Sequence, residues 1–214
     1  MLKMQTRAGR SIEDSSMSVI ESEIGDHPYD SQEWPVVRRV IHSTADFDFA
    51  ADNRILFWGN PIQKGVEALH RNCTIVTDVN GIPGLLNKAS LSHLGVRTLC
   101  RISDGDIAQM AKERDTTRAR ASMRACASDM DGGILAIGNA PTALLEAISM
   151  IQEGVSRPAV IVGVPVGFIQ AAESKEQLRG LTDVSYITNI GRKGGSSVAA
   201  AIVNALLIQA RSSS

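Results

Sequence analysis

The sequence predicts an α/β protein, a three-layer α/β/α sandwich built on a mostly parallel central sheet. Three observations lead there. Short β-branched runs alternate with helical patterns along most of the 214 residues. The runs are continuously apolar, as strands covered on both faces should be. The segments between them carry the Asn, Ser, Pro and Gly that start and stop helices. The length suits one domain at roughly 100–200 residues each, and no shift in composition or Ser/Gly-rich linker divides it. Residues 1–214 are therefore read as a single domain, with N-terminal helices in 1–50 packed on the sheet and alternating strands and helices in 51–214.

Two helices are predicted first, about Glu13–Ile24 and Ser31–Ser43, separated by the turn Gly25-Asp26-His27-Pro28. Met17, Ile20 and Ile24 form a core stripe on the first, and Val37, Val40 and Ile41 on the second. Strands are predicted at Ile55–Trp58, Cys73–Asp78, Val96–Ile102, Ile134–Ile137, Ala159–Val164 and Val184–Thr188. Asn60-Pro61 and Asn139-Ala140-Pro141 place a capping side chain and a proline at helix starts. Gly154 follows the last turn of the second of these helices. Ser196 or Ser197 can cap a closing helix that runs to about Ala210.

Composition narrows the function. Lys and Arg total 22 against 23 Asp and Glu, a net charge of −1. A protein that binds nucleic acid by neutralising phosphates needs a basic excess, so nucleic acid is not an expected partner. Sixteen of the basic residues are Arg and six are Lys. Arg offers a planar fork suited to carboxylates or phosphates, which hints at an anionic small molecule. Cys73, Cys100 and Cys126 have no metal-type spacing, and the apolar runs around Cys73 and Cys100 suggest reduced core thiols. The longest apolar stretches, Pro158–Ile169 and Val198–Ile208, fall short of the roughly 18 residues a membrane span needs. The N-terminus lacks the apolar core of a signal peptide. A soluble cytoplasmic protein is expected.

In open parallel sheets, ligands bind where loops and helix N-termini meet at the carboxyl ends of the strands. Three segments fall there: Ala136-Ile-Gly-Asn-Ala-Pro-Thr142, Gly163-Val-Pro-Val-Gly-Phe168 and Gly191-Arg-Lys-Gly-Gly-Ser-Ser197. Any one of them reads as a tight connection. Three on one sheet edge read as a site. Nucleotide templates fail, because Gly191-Arg-Lys-Gly-Gly-Ser has the wrong order for a P-loop and no Gly-x-Gly-x-x-Gly follows the first strand. There is no Gly-x-Ser-x-Gly elbow. His27, His42, His70 and His93 lack metal-ligand spacing, so no metal site is expected. His42 stands out because it lies one step past the stripe Val37, Val40, Ile41, where it could line a semi-buried pocket. Arg114-Asp-Thr-Thr-Arg-Ala-Arg120 concentrates arginines at a helix start, either as a solvated face or as a clamp for carboxylates.

These segments resemble one family. Ala136-Ile-Gly-Asn-Ala-Pro-Thr-Ala-Leu144, Val164-Pro-Val-Gly-Phe168 leading into Ala171-Ala-Glu-Ser-Lys175, and Gly191-Arg-x-Gly-Gly-Ser196 are similar, in sequence and in spacing, to the C-terminal signature of precorrin-8X methylmutases. Ile12-Glu-Asp-Ser-Ser-Met-Ser-Val-Ile20 resembles that family's opening helix, with Ser16 at its substrate-facing serine. Val40-Ile-His42 falls at its catalytic histidine, and Thr117-Arg118 at its Thr-Arg step. The loop after the strand-end Asp78 departs from the family pattern.

The resemblance implies a homodimer that moves a methyl group from C-11 to C-12 of a tetrapyrrole, either precorrin-8X or cobalt-precorrin-8. No cofactor is implied. It implies His42 as the catalytic residue, since imidazole exchanges a proton near neutral pH. It implies substrate contacts at Ser16, Thr77, Asp78, Thr117, Arg118, Gly138, Asn139, Arg192, Gly194, Gly195 and Ser196. The many carboxylates of such a substrate suit the arginine excess. A non-catalytic tetrapyrrole carrier is the competing reading.

Overall fold

The computed structural model describes residues 7–52 and 54–212. Helices α1 (Arg7–Ile24) and α2 (Trp34–Thr44) come first, then a 3-10 turn at Phe47–Ala50. Strand β1 (Ile55–Trp58), α3 (Pro61–His70), β2 (Thr74–Thr77), α4 (Gly81–Leu85), α5 (Lys88–His93) and β3 (Arg97–Leu99) follow. Next are α6 (Gly105–Glu113), α7 (Arg118–Ala125), α8 (Ala127–Met130), β4 (Ile134–Ile137) and α9 (Pro141–Gln152). The chain closes with β5 (Val160–Gly163), α10 (Ala171–Arg179), β6 (Tyr186–Asn189) and α11 (Ser196–Ser212).

The six strands form one sheet in the order β1-β6-β5-β4-β2-β3. All neighbours run parallel except β1, which pairs antiparallel with β6. The carboxyl ends of β2 to β6 therefore share one edge. Every position of β2, β4, β5 and β6 is buried, because helices cover both faces. Alternate residues feed two cores. Ile75, Ile134, Val162 and Ile187 meet Val37, Ile41, Ile202 and Leu206 from α2 and α11. Val76, Leu135, Ile137 and Ile161 meet Met123, Leu144, Ile148 and Leu178 from α7, α9 and α10. Among the described residues, no helix is long and apolar enough to cross a membrane.

Element boundaries depart from expectation where local chemistry intervenes. The second helix starts at Trp34 rather than Ser31, because Asp30 Oδ1 accepts from the amides of Gln32 and Glu33 at 2.7 and 2.8 Å and holds a turn. The strand expected over Val96–Ile102 shortens to Arg97–Leu99, since it is an edge strand paired with β2 alone. Neither asparagine caps its helix. Asn60 sits in the left-handed region with no side-chain cap, and the residue preceding α9 is Ala140. Cys73 and Cys100 are only partly buried, whereas Cys126 lies in the core. The signal-peptide reading concerns in part residues 1–6, outside the described residues.

Candidate active site

The site begins with a carboxylate. Asp78 follows β2, and its side chain reaches across to the loop after β4. Its oxygens accept from the amides of Gly138 at 3.0 Å, Asn139 at 2.8 Å and Ala140 at 2.6 Å. The cap missing from the α9 sequence is thus supplied by a residue about 60 positions earlier, and its negative charge suits the helix N-terminus. Burial pushes the Asp78 carboxyl up from the ordinary range, while the three amide hydrogen bonds pull it back. Thr77 is also fully buried, with its hydroxyl 3.4 Å from the Val79 carbonyl. Asp78 and the Gly138 and Asn139 amides are thus paired with one another, and the Thr77 hydroxyl is turned to Val79.

The loops after β4, β5 and β6 interlock. A Cβ on Gly138 would stand 2.8 Å from the Gly195 carbonyl oxygen and 2.9 Å from Ser196 Cα. Gly194, at φ +152°, presses so close to Val164 that a Cβ would come 2.2 Å from its carbonyl oxygen. The Gly195 amide donates to Val164 O at 2.9 Å, and the Gly167 amide to Arg192 O at 3.2 Å. The Gly195 amide is therefore engaged within the loop cluster. One of the loop's two cations is also engaged: Lys193 Nζ pairs with Asp46 Oδ2 at 2.7 Å and Asp48 Oδ2 at 2.6 Å. Both carboxylates raise its pKa above the ordinary lysine value. Arg192 remains exposed, its guanidinium 5.9 Å from the ring centroid of Phe168, a residue 89% exposed on the β5 loop. Exposed Ile169 and Val166 extend that apolar surface.

The arginine segment reaches the same edge. Thr117 caps α7 by accepting from the Arg120 amide at 3.2 Å, and its hydroxyl lies 3.2 Å from that of Thr142 at the start of α9. Arg124 ties the two helices together through Glu146 at 2.6 Å and Glu153 at 2.6 Å. Arg118, exposed in the first turn, forms no ion pair among the described residues. Within the segment Arg120 is 3.8 Å from Glu146, so the clamp reading rests on the exposed Arg114 and Arg118, which form no ion pair among the described residues.

His42 approaches from the opposite layer. It is exposed near the end of α2 and lines an open cavity of about 270 Å³ with Arg39, Ser43, Leu85, Ser197 and Asn204. Ser43 Oγ lies 3.5 Å from the Ser197 carbonyl, which joins this wall to the first turn of α11. Arg39 is held by Glu13 at 3.0 Å, one turn from Ser16 on α1. Ser16 itself donates to the Ile12 carbonyl, and no hydrogen bond links it to the glycine loop. His42 thus lies beside the first turn of α11, Arg192 and Gly194 lie on the loop that precedes it, and Thr117 and Arg118 lie next to the start of α9.

Sequence reading missed Lys175 and Asn189, which lie beneath the glycine loop. A signal existed. Ala171, Ser174, Lys175 and Leu178 follow the i, i+3, i+4, i+7 spacing of a buried helical face, and all four are buried.

Fold and site together define an α/β protein in which two helix N-termini and three loops meet at the carboxyl edge of its sheet. The model of the precorrin-8X methylmutase family matches residues 11–209. A cobalt-precorrin-8 methylmutase from Priestia megaterium is 46% identical over 94% of this chain and 88% of its own length. A precorrin-8X methylmutase from Pseudomonas aeruginosa is 34% identical over 94% of this chain and 95% of its own. The crystal structure of the Thermus thermophilus precorrin-8X methyl mutase superposes with a TM-score of 0.88 at 35% identity, covering 96% of this chain and 98% of that one. The chain belongs to the precorrin-8X methylmutase family.

Proposed function

We propose that this protein is an isomerase of corrin biosynthesis that moves a methyl group from C-11 to C-12 of a tetrapyrrole. Precorrin-8X would yield hydrogenobyrinate, and cobalt-precorrin-8 would yield cobyrinate. The observation that carries the reading is the interlocking of the three family-matched loops into one surface, with His42 facing its edge from α2. The carbon–methyl bond at C-11 breaks as the bond at C-12 forms, so no atom is gained or lost. His42 lends a proton to the macrocycle as its electrons shift and recovers it afterwards. Arg118 with Thr117, and Arg192 with the Gly194 amide and Ser196, receive acidic arms and fix the ring in reactive geometry. Thr77, Asp78, Gly138, Asn139 and Gly195 hold that surface in shape, and Ser16 supports it from α1. Higher identity to the relative named for the cobalt-bearing substrate favours testing that form first.

The cavity beside His42 is smaller than the roughly 300–1,000 Å³ of pockets that enclose drug-sized ligands, and a tetrapyrrole is larger still. A cytoplasmic two-fold homodimer, in which the partner walls the remaining side of the cleft, meets that need. Incubation with each substrate, followed by absorption spectroscopy, tests the activity. Conversion to the corrin chromophore supports the mutase, and binding without spectral change supports a carrier. Sedimentation showing a fully active monomer at micromolar concentration would remove the dimer.

A further inference from the structure

Lys175 is a buried cation with no acidic partner among the described residues. Its side chain is 1% exposed, and Nζ donates to Asn189 Oδ1 at 3.2 Å and to the Lys193 carbonyl at 2.7 Å. Burying an ammonium without a carboxylate is costly, so such lysines are rare unless other groups or a ligand compensate them. Asn189, itself fully buried, donates through Nδ2 to the carbonyls of Ile190 and Lys193, both at 2.9 Å. These two side chains therefore draw two loop carbonyls inward, beneath the surface.

The direction of those carbonyls fixes the direction of the next amides. In a trans peptide the C=O and the following N–H point to opposite sides. With the Ile190 and Lys193 carbonyls turned inward, the Gly191 and Gly194 amides turn outward. Neither makes a hydrogen bond among the described residues, whereas the neighbouring Gly195 amide is taken by Val164. Outward amides over a buried positive charge, flanked by the exposed Arg192, are chemically suited to an anion.

We propose that Lys175 and Asn189 are positioning residues that orient the Gly191–Gly194 loop as a carboxylate seat, Lys175 adding its charge from below. The proposal rests on the tetrapyrrole reading and deepens it, since it assigns one acidic arm of the macrocycle to this loop. Neither residue touches the substrate. Asp46 and Asp48 hold the opposite side of the loop through Lys193, so its backbone is fixed from two directions.

The test compares two corrins on intact protein: hydrogenobyrinate, and the same corrin with its acetate arms converted to amides. Lys175→Met keeps length and burial but removes the donor and the charge. Asn189→Ser removes the two Nδ2 bonds and the Oδ1 acceptor of Lys175 while keeping the Lys175 charge and its bond to the Lys193 carbonyl. We expect each variant to bind hydrogenobyrinate ten- to a hundredfold more weakly, with affinity for the amidated corrin changed less than threefold. KM for precorrin-8X should rise in step while kcat stays within about threefold. Lys175→Arg, which restores a donor and a charge, should recover part of the loss. Equal weakening of both corrins, or no weakening, in whichever variants fold overturns the proposal. If the unaltered protein binds neither corrin, the tetrapyrrole reading itself falls and this assignment falls with it.

Discussion

Gly138 and Gly195 touch so closely that no side chain fits between them. A Cβ at position 138 would meet the Gly195 carbonyl oxygen at 2.8 Å and its carbonyl carbon at 2.9 Å. Both are backbone atoms at the start of α11, so the contact cannot be relieved by turning a rotamer. Gly138→Ala should destabilise the fold by about 1–3 kcal/mol, typical of overpacking. At this chain length that corresponds to a fall in Tm of roughly 2–12 °C. Thermal unfolding measures it, and an unchanged Tm would mean the two loops separate more easily than their geometry indicates.

Losing His42 should separate catalysis from binding. It is exposed at the site edge, while the arginines proposed to hold the acidic arms lie on other elements. A positioned general acid is typically worth about 10²–10⁴ in rate. His42→Ala should therefore lose turnover by that factor and retain most of its affinity, trapping unconverted substrate. Conversion near the parental rate would leave confinement of the ring as the whole of catalysis.

Arg118 should contribute to binding rather than to folding. It is exposed and forms no ion pair among the described residues, so its removal leaves no buried group unsatisfied. One charge-assisted pair is worth about 1.5–3 kcal/mol, so Arg118→Ala should weaken tetrapyrrole binding ten- to over a hundredfold at unchanged Tm. Unaltered affinity by titration would return Arg118 to a solvated helix face.

The α7–α9 junction should carry an acid-dependent share of stability. Hydrogen bonds from Arg124 and then Ser149 depress the Glu153 carboxyl from 4.5 to about 2. A carboxylate with a depressed folded pKa stabilises the fold above its unfolded value and loses that contribution as pH falls through the folded one. The stabilisation should be complete above about 4.5 and disappear towards 2, so urea unfolding of the parent and of Glu153→Gln should converge across that window. Because Glu153 is solvent-exposed, the gap at neutral pH should be small. Parallel curves across the window would show that the pairing does not survive in solution.

Much of the architecture was legible from local chemistry. The apolar run Ile134–Ile137 fixes a strand at those very residues, because a strand buried on both faces excludes polar side chains whatever surrounds it. The same locality made the three loops readable, since glycine and proline restrict the backbone independently of distant partners. What each polar group does inside those loops was decided elsewhere. Asp78 occupies the Gly138, Asn139 and Ala140 amides from another strand, and Asp46 and Asp48 take Lys193 from a turn near α2. Lys175, from the helix before the loop, and Asn189, from β6, between them take two loop carbonyls. Periodicity and propensity are properties of neighbours along the chain. Hydrogen bonds between loops exist only once the sheet has set its strands side by side, so only the folded structure decides which donors remain free for a ligand.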